Sequence, residues 1–249
     1  KITTREGHLL VLKPMNCPHH AQIISRKPWT YKEMPQRYCE TTMVYRDEQT
    51  GELSGLTRVR SITQDDAHVF CTPEQIEQEV SLIWDIVNTL YRTFGFELLV
   101  RFSRHNPDDF EKCLGTSEEW KHAESTLLSI IKKRKVDYID GLGEAAFYGP
   151  KIDFIAKDSL GREWQVATIQ LDFNQPERFK LIYTTEKDAH EKVVMIHAAI
   201  AGSLERFIAV LIEHLAGNFP VWLSPVQVSL LTITERNHNY ARHVKERLE

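Results

Sequence analysis

The apolar and polar positions of this chain predict an alternation of hairpins and long helices. Between residues 40 and 69 the segments TTMVYRDE and LTRVRSI favour strands, and the glycines of the intervening QTGELSG predict a long hairpin loop. A second hairpin is predicted where KDSLG separates KIDFIA from REWQVATIQLDF, and FELLVRFS predicts another strand. These segments therefore predict antiparallel strand pairs.

Three helices are indicated by apolar residues at helical spacing and by capping residues. The first is predicted to follow the N-cap Thr72, with Gln75 as capping-box partner, and to end at Gly95. The second begins near Thr116, and the third covers AGSLERFIAVLIEHLAG and ends at Gly217. Hairpins interrupted by long helices predict an α+β fold, an antiparallel sheet with helices packed on it.

The C-terminal segment predicts a change of domain. NFPVWLSP is a predicted linker, and VQVSLLTI with the final helical pattern predicts the opening strand and helix of another domain. The predicted domains are residues 1–223 and the start of a second domain at 224–249. The chain has no initiator methionine and closes on a helical pattern without a stop signal, which we interpret as a fragment of a longer protein.

Composition excludes several classes of protein. With 249 residues, 42% of them hydrophobic, the chain can bury a large core, and a net charge of -4 argues against unspecific coating of nucleic acid. No apolar run approaches the roughly 20 residues that span a bilayer. The four cysteines form no close pair, which predicts a reduced, cytoplasmic protein. Neither GxGxxG nor GxxxxGK[ST] occurs, so no Rossmann or P-loop fold is predicted.

One predicted strand is unusually rich in charge. If the segment stays extended, every second residue from Arg58 to His68 shares a face. A solvated sheet face is one explanation. However, such faces usually mix lysine, glutamate and serine, whereas the arginine fork matches phosphate geometry. Asp66 and His68, at the end of the stripe, suit metal or amine binding.

Several longer motifs carry a family resemblance. KPMNCPHH, VYRDEQTGELSGLTRVRSITQDDAHVFC, AFYGPKIDF, WQVATIQLDF and GSLERF, in this order, resemble threonyl-tRNA synthetases, which are class II aminoacyl-tRNA synthetases. The resemblance covers nearly the whole chain. It implies a class II synthetase-like antiparallel sheet flanked by helices, lacking its N-terminal motif 1 part, followed by the truncated start of an α/β anticodon-binding domain.

The resemblance also implies an activity. It is the ATP-dependent activation of L-threonine to threonyl-adenylate and the transfer of threonine to tRNA(Thr), by a cytoplasmic enzyme without a membrane segment. One Zn²⁺ per chain would select the amino acid, Mg²⁺ would accompany ATP, and the full-length protein would be a homodimer.

The residues that match the family's motifs fall into four groups. The implied catalytic residues are Arg46 and Arg206. The implied ATP-binding residues are Glu48, Arg58, Ile62, Lys151, Gln165, Thr168 and Ser203. The implied threonine-binding residues are Gln64, Asp66, Tyr148 and Gln170. The implied zinc ligands are Cys17, His68 and His197. On a regular strand Gln165 and Thr168 would face opposite sides, so their joint assignment requires a bulge.

Some positions depart from the family or stay open. Ile62, Val166 and Ala198 stand where phenylalanine, cysteine and arginine are usual. His20 is interpreted as solvated or as an outer neighbour of the metal, and Glu205 as either a site residue or an exposed helix charge.

Other functions remain as hypotheses. One is a related class II synthetase for serine or proline, which a cysteine with two histidines argues against. Another is a non-catalytic synthetase-like protein that binds RNA, which the retained arginines argue against. The last is a hydrolase with a zinc-bound water, although no HExxH is present.

Overall fold

The computed structural model describes residues 1–249, which divide into two compact units, Lys1–His214 and Leu215–Glu249. The strands are β1 (Ile2–Thr3), β2 (Leu9–Leu10), β3 (Trp29–Thr30), β4 (Gln36–Tyr45), β5 (Ser61–Cys71), β6 (Leu98–Arg104), β7 (Tyr138–Leu142), β8 (Lys151–Lys157), β9 (Glu163–Asp172), β10 (Ile182–Thr184), β11 (His190–Lys192) and β12 (Val194–Ala199). The helices are α1 (Cys17–Ser25), α2 (Ile76–Thr93), α3 (Ser117–Lys133), α4 (Asn174–Arg178), α5 (Leu204–Leu215) and α6 (His238–Leu248). None of these helices has the length and apolar character needed to cross a membrane.

A seven-stranded sheet forms the centre of the first unit. Its strand order is β4-β5-β12-β9-β8-β6-β7, and every neighbouring pair is antiparallel except β6 with β7. Helix α2 packs against β9 and β12, and α3 packs against β6. The predicted α+β fold with an antiparallel sheet is confirmed.

The capping signals of the long helices are also confirmed. Thr72 and Gln75 form a capping box at a 3-10 turn that leads into α2, and Gly95 follows the end of that helix at φ 77°. Thr116 and Glu119 form the same motif at the start of α3. Apolar residues on one face of α2, such as Trp84, are buried against the sheet, where the Trp84 ring meets Phe154 edge-on.

Both predicted hairpins form, but the strands of the first end further from the turn than predicted. Strand β4 pairs with β5 from Gln36↔Phe70 to Tyr45↔Ser61, so Arg58 and Arg60 lie in the connecting loop and do not share the β5 face. The loop folds on itself because Arg58 forms ion pairs with Glu48 and Glu52 and Arg60 donates to the Glu48 carbonyl at 3.0 Å. These contacts replace the extension of the strand that the alternating pattern predicted.

The second hairpin, β8 with β9, contains a β-bulge. Phe154 pairs with Ala167 and Ile155 pairs with Gln165, which leaves Val166 as the extra residue. The Tyr91 hydroxyl is shared between the carbonyl oxygens of Val166, at 3.2 Å, and Ile200, at 2.9 Å. The bulge brings Gln165 and Thr168 to the same face of β9, as their joint assignment required.

In the second unit, α6 agrees with the predicted final helix, whereas the predicted strand at 226–233 does not form. Leu231 and Ile233 are 91% and 99% exposed. A strand needs a neighbour to pair its backbone groups, and no strand of the described chain pairs with this segment. The boundary between residues 223 and 224 stays a prediction.

Gly149 precedes β8 at a close approach of two backbone segments, and an added Cβ there would overlap the Leu171 carbonyl oxygen. We therefore expect Gly149→Ala to lower the free energy of unfolding by about 1–3 kcal/mol, the usual effect of overpacking. Urea unfolding would measure this change. Gly51→Ala is the matched control because its Cβ meets open space. Equal unfolding midpoints for the two variants would contradict the prediction.

Candidate active site

Cys17, His68 and His197 converge from three separate elements of the chain. Cys17 is the first residue of α1. His68 of β5 lies directly opposite His197 of β12 in the antiparallel pair that these strands form. His68 Nε2 lies 3.2 Å from Cys17 Sγ and 3.1 Å from His197 Nδ1, and the sulfur lies 3.5 Å from that Nδ1. All three side chains are buried, and their donor atoms lie within 4.8 Å of one another.

The chemistry of this donor set fits a zinc ion. One thiolate and two imidazoles are common zinc ligands, and three protein ligands leave a fourth tetrahedral position open. Burial lowers the pKa of His68 to about 2, so the ring stays neutral and keeps a lone pair for a metal. At His197 burial alone would lower the pKa, but hydrogen bonds to Asp172 and then Cys17 outweigh it and raise the pKa to about 10. The position therefore favours a cation, and a metal ion bound at Nδ1 would take the place of the proton on that nitrogen.

Two neighbouring residues orient the histidines. Asp172 Oδ2 lies 2.9 Å from His197 Nε2, and His20 Nδ1 lies 2.8 Å from His68 Nδ1. The atoms turned toward Cys17 are consequently His197 Nδ1 and His68 Nε2. His20 is buried, which excludes the solvated alternative. Asp172 is not among the predicted residues, although it lies within the motif WQVATIQLDF and, two residues after Gln170, on the same face of β9.

The four predicted threonine-binding residues lie beside the metal donors. Asp66 accepts a hydrogen bond from Asn16 Nδ2 at 3.1 Å, and burial raises the pKa of this carboxyl to about 6. The Gln64 Oε1 atom is buried without a protein partner, and Gln170 Nε2 donates to the Gly149 carbonyl at 3.0 Å. Burial raises the pKa of Tyr148, so its hydroxyl remains a donor. These groups can bind a small polar molecule.

Arginine dominates another part of the same cavity. Arg46, Arg58 and Arg206 line it together with Glu48. Burial first, and then repulsion from Arg46 and Arg58, lowers the pKa of Arg206. Arg206 is held in place by donating from Nε to the Thr57 carbonyl at 2.8 Å. An anion between these side chains would relieve the repulsion, so the geometry favours a phosphate ligand.

Helix α5 is anchored to the sheet by Glu205. Its carboxylate oxygens accept from the Thr63 amide at 2.9 and 3.1 Å and from Ser203 Oγ at 2.9 Å. The alternative that Glu205 is an exposed helix charge is therefore wrong. The same contacts place Ser203 and Arg206 beside β5.

One cavity of about 260 Å³ gathers nearly all the predicted residues. Ile62, Gln165 and Thr168 are part of its lining, while Lys151 and His68 are not. His68 is fully buried behind its contacts with the other metal donors. The Lys151 ammonium instead bonds to Asp153 Oδ2 at 2.7 Å. Asp153 lies within the motif AFYGPKIDF but is not among the predicted site residues.

Residues 1–215 match the family described as tRNA synthetase class II core domain (G, H, P, S and T). The chain belongs to this family. The threonine-tRNA ligase of Flavobacterium johnsoniae is 50% identical over 248 residues, which are 99% of this chain and 38% of that relative. The chain thus spans less than half the length of the curated relatives it matches.

Two solved structures share the fold of this class II core. A structure described as the RNA binding domain of threonyl-tRNA synthetase from Cryptosporidium parvum Iowa II aligns with TM-score 0.89 and 43% identity, over 95% of this chain and 58% of that one. A threonyl-tRNA synthetase from Aeropyrum pernix aligns with TM-score 0.78 and 33% identity, over 98% and 56%. The resemblance to threonyl-tRNA synthetases and the class II synthetase-like fold are confirmed.

We expect the purified class II core to retain about one zinc per chain after dialysis, because a thiolate and two imidazoles converge in a buried site. Cys17→Ser should lose the metal, as measured by inductively coupled plasma mass spectrometry. Cys39→Ser is the control, since Cys39 is an exposed residue of β4 outside the donor set. A metal-free wild-type protein, or zinc retained by Cys17→Ser, would refute the zinc assignment.

Proposed function

We propose that the chain is the catalytic part of a threonyl-tRNA synthetase. It activates L-threonine with ATP to threonyl-adenylate and transfers the threonyl group to tRNA(Thr). The observation that carries this proposal is a single cavity with a zinc-type donor set beside Asp66 and three arginines beside Ser203. Residues 1–223 would be the core and 224–249 the start of an anticodon-binding domain, in a full-length cytoplasmic homodimer.

The arginines account for the activation step. The threonine carboxylate attacks the α-phosphorus of ATP, an oxygen-phosphorus bond forms, and the bond to pyrophosphate breaks. This displacement needs positioning and neutralisation of dense negative charge more than covalent help. Arg46 and Arg206 would hold the α-phosphate and the carboxylate, and Arg58 would meet the γ-phosphate. Mg²⁺ bound with ATP would supply further positive charge.

The other part of the cavity accounts for choice of amino acid. Zinc held by Cys17, His68 and His197 would act as a Lewis acid with one position open to the substrate. Asp66 accepts the hydrogen bond of the threonine hydroxyl. In the second step, a terminal ribose hydroxyl of tRNA attacks the activated carbonyl and loses its proton to solvent. The bond from the carbonyl carbon to the phosphate oxygen breaks, and AMP leaves with its electrons.

The alternatives account for fewer of the side chains. A hydrolase would leave the arginine cluster without a purpose. A non-catalytic RNA-binding protein would not need the metal donors and the arginines in one cavity, although Ile62 and Ala198 depart from the family. The relatives at 43% and 50% identity are threonine enzymes, which favours threonine over serine or proline.

Comparison of threonine, serine and valine tests the selection mechanism. Valine lacks the hydroxyl, so we expect its rejection by roughly 10⁴-fold or more, whereas serine lacks only a methyl and should be activated about 10- to 200-fold less well than threonine. ATP-pyrophosphate exchange measures all three rates. Activation of valine at or above the serine rate would exclude hydroxyl recognition as the basis of selection.

Arginine substitutions test the phosphate assignment. Arg46→Ala and Arg206→Ala should each lower pyrophosphate exchange by about 10²- to 10³-fold, because each removes a charge that faces the transferring phosphate. The control is Arg92→Ala, an exposed residue of α2 outside the cavity. Near-normal exchange by a folded Arg46 or Arg206 variant would remove that residue from the proposed mechanism.

A further inference from the structure

Asp153 is a buried carboxylate that the proposed substrate contacts do not use. It lies on β8 with no exposed surface, beside the cavity wall formed by β9. Its Oδ2 atom accepts hydrogen bonds from Arg101 Nη2 at 3.1 Å, Ser103 Oγ at 2.7 Å and Lys151 Nζ at 2.7 Å. Two cations and a hydroxyl therefore hold one carboxylate oxygen, and the other oxygen is turned toward β9.

The second oxygen determines how Gln165 is oriented. Asp153 Oδ1 lies 2.8 Å from the Gln165 side chain, and because a carboxylate oxygen only accepts, the atom facing it must be the amide nitrogen Nε2. Arg101 Nη2 lies 2.9 Å from the other end of the amide, and because guanidinium only donates, that atom must be Oε1. An acceptor at one end of the Gln165 amide and a donor at the other end thus exclude the orientation in which its nitrogen and oxygen are exchanged.

Thr168 is oriented by the same carboxylate. Its hydroxyl donates to Asp153 Oδ1 at 2.9 Å and accepts from Gln165 Nε2 at 3.0 Å. Both amide hydrogens of Gln165 and the single hydroxyl hydrogen of Thr168 are consequently used inside the cluster. Both residues line the cavity, where they can offer only acceptor lone pairs.

The position of this wall indicates which ligand group it meets. Gln170 pairs with the metal donor His197, whereas Thr168 pairs with Ala199, two residues nearer to α5. Gly202, just before α5, lies against the Val166 carbonyl. The wall is therefore displaced from the metal donors toward the helix that carries Arg206. A wall of acceptors binds hydroxyl groups, and the hydroxyl groups of ATP are those of its ribose, which is attached to the phosphates that the arginines would hold.

We infer that Asp153 is a positioning residue that holds Gln165 and Thr168 as hydrogen-bond acceptors for the ribose hydroxyls of ATP. This inference rests on the proposed function. Asp153 would act by accepting the hydrogens of the Gln165 amide and the Thr168 hydroxyl. A neutral side chain of the same shape that presents a donor would not hold these two groups in the same orientation.

Asp153→Asn tests the inference because it keeps the shape and changes the polarity. Arg101, Ser103 and Lys151 would retain the asparagine oxygen, so its NH₂ group would face Gln165 and Thr168 and turn the Gln165 amide. Pyrophosphate exchange is measured with ATP, 2′-deoxyATP and 3′-deoxyATP. Wild type should prefer ATP over at least one analogue by about three- to tenfold in kcat/KM, as expected for one neutral hydrogen bond.

In Asp153→Asn this preference should fall below about twofold, through a higher KM for ATP, while the KM for threonine is little changed. Ser103→Ala is the control, since it removes a donor to Oδ2 and leaves the β9 side intact. It should keep the wild-type preference.

The outcomes separate the two proposals. Absence of exchange by wild type with all nucleotides would contradict the proposed function. Exchange by wild type without any preference for ATP, or a folded Asp153→Asn that keeps the full preference, would overturn the inference about Asp153. If thermal melting shows that Asp153→Asn is unfolded, Thr168→Val and Thr168→Ser replace it in the test. Loss of the preference for ATP in the valine variant alone supports the inference. Full preference for ATP in the valine variant overturns it.

Discussion

The candidate site depends on the register between β5 and β12. His68 lies directly opposite His197, and a slip of one residue would turn one of the two rings to the other face of the sheet. Asp65, three residues before His68 on β5 and on the opposite face of the sheet, holds this register. Asp65 Oδ2 accepts from the amides of Ile200 and Ala201, at 2.8 and 2.7 Å, immediately after β12 ends. Because side chains alternate along β5, Asp65 bonds to backbone amides on one face, while Asp66 lines the cavity on the other face.

Buried carboxylates orient the side chains of the site. Asp66, Asp153 and Asp172 all lie inside the protein, where an unpaired carboxylate would cost several kcal/mol, on the order of the desolvation penalty of a buried ion. Each has donors that offset that cost: an asparagine amide, a five-donor cluster and an imidazole, respectively. Because each carboxylate only accepts, it also determines which atom its neighbour turns away from it. For His197 this atom is Nδ1, which lies beside Cys17, and for Gln165 it is Oε1, which accepts from Arg101.

The features that the sequence predicts are those specified by nearby residues. Capping boxes at Thr72 and Thr116, and the hairpin pairing of β8 with β9, follow from short segments and agree with the structure. The convergence of Cys17 with His68 and His197 required the family resemblance, because no local spacing brings α1 to the middle of the sheet. Asp153 and Asp172 lie within the motifs AFYGPKIDF and WQVATIQLDF, but the sequence assigns neither a role, since their partners come from other strands and aspartate on a strand is usually a solvated residue.

Local patterns also fail where a segment's neighbours decide its conformation. Alternation alone extended β5 back to Arg58, but ion pairs with Glu48 and Glu52 close that segment into a loop. This closure has a functional consequence. It brings Arg58 near Arg206, whose pKa is lowered first by burial and then by repulsion from Arg46 and Arg58, which the charge of Glu48 offsets only in part. A bound polyphosphate would convert that repulsion into attraction, and preferential binding to the folded state would raise stability. The arginine cluster is therefore better suited to binding an anion than to stabilising the free protein, a trade-off common at functional sites.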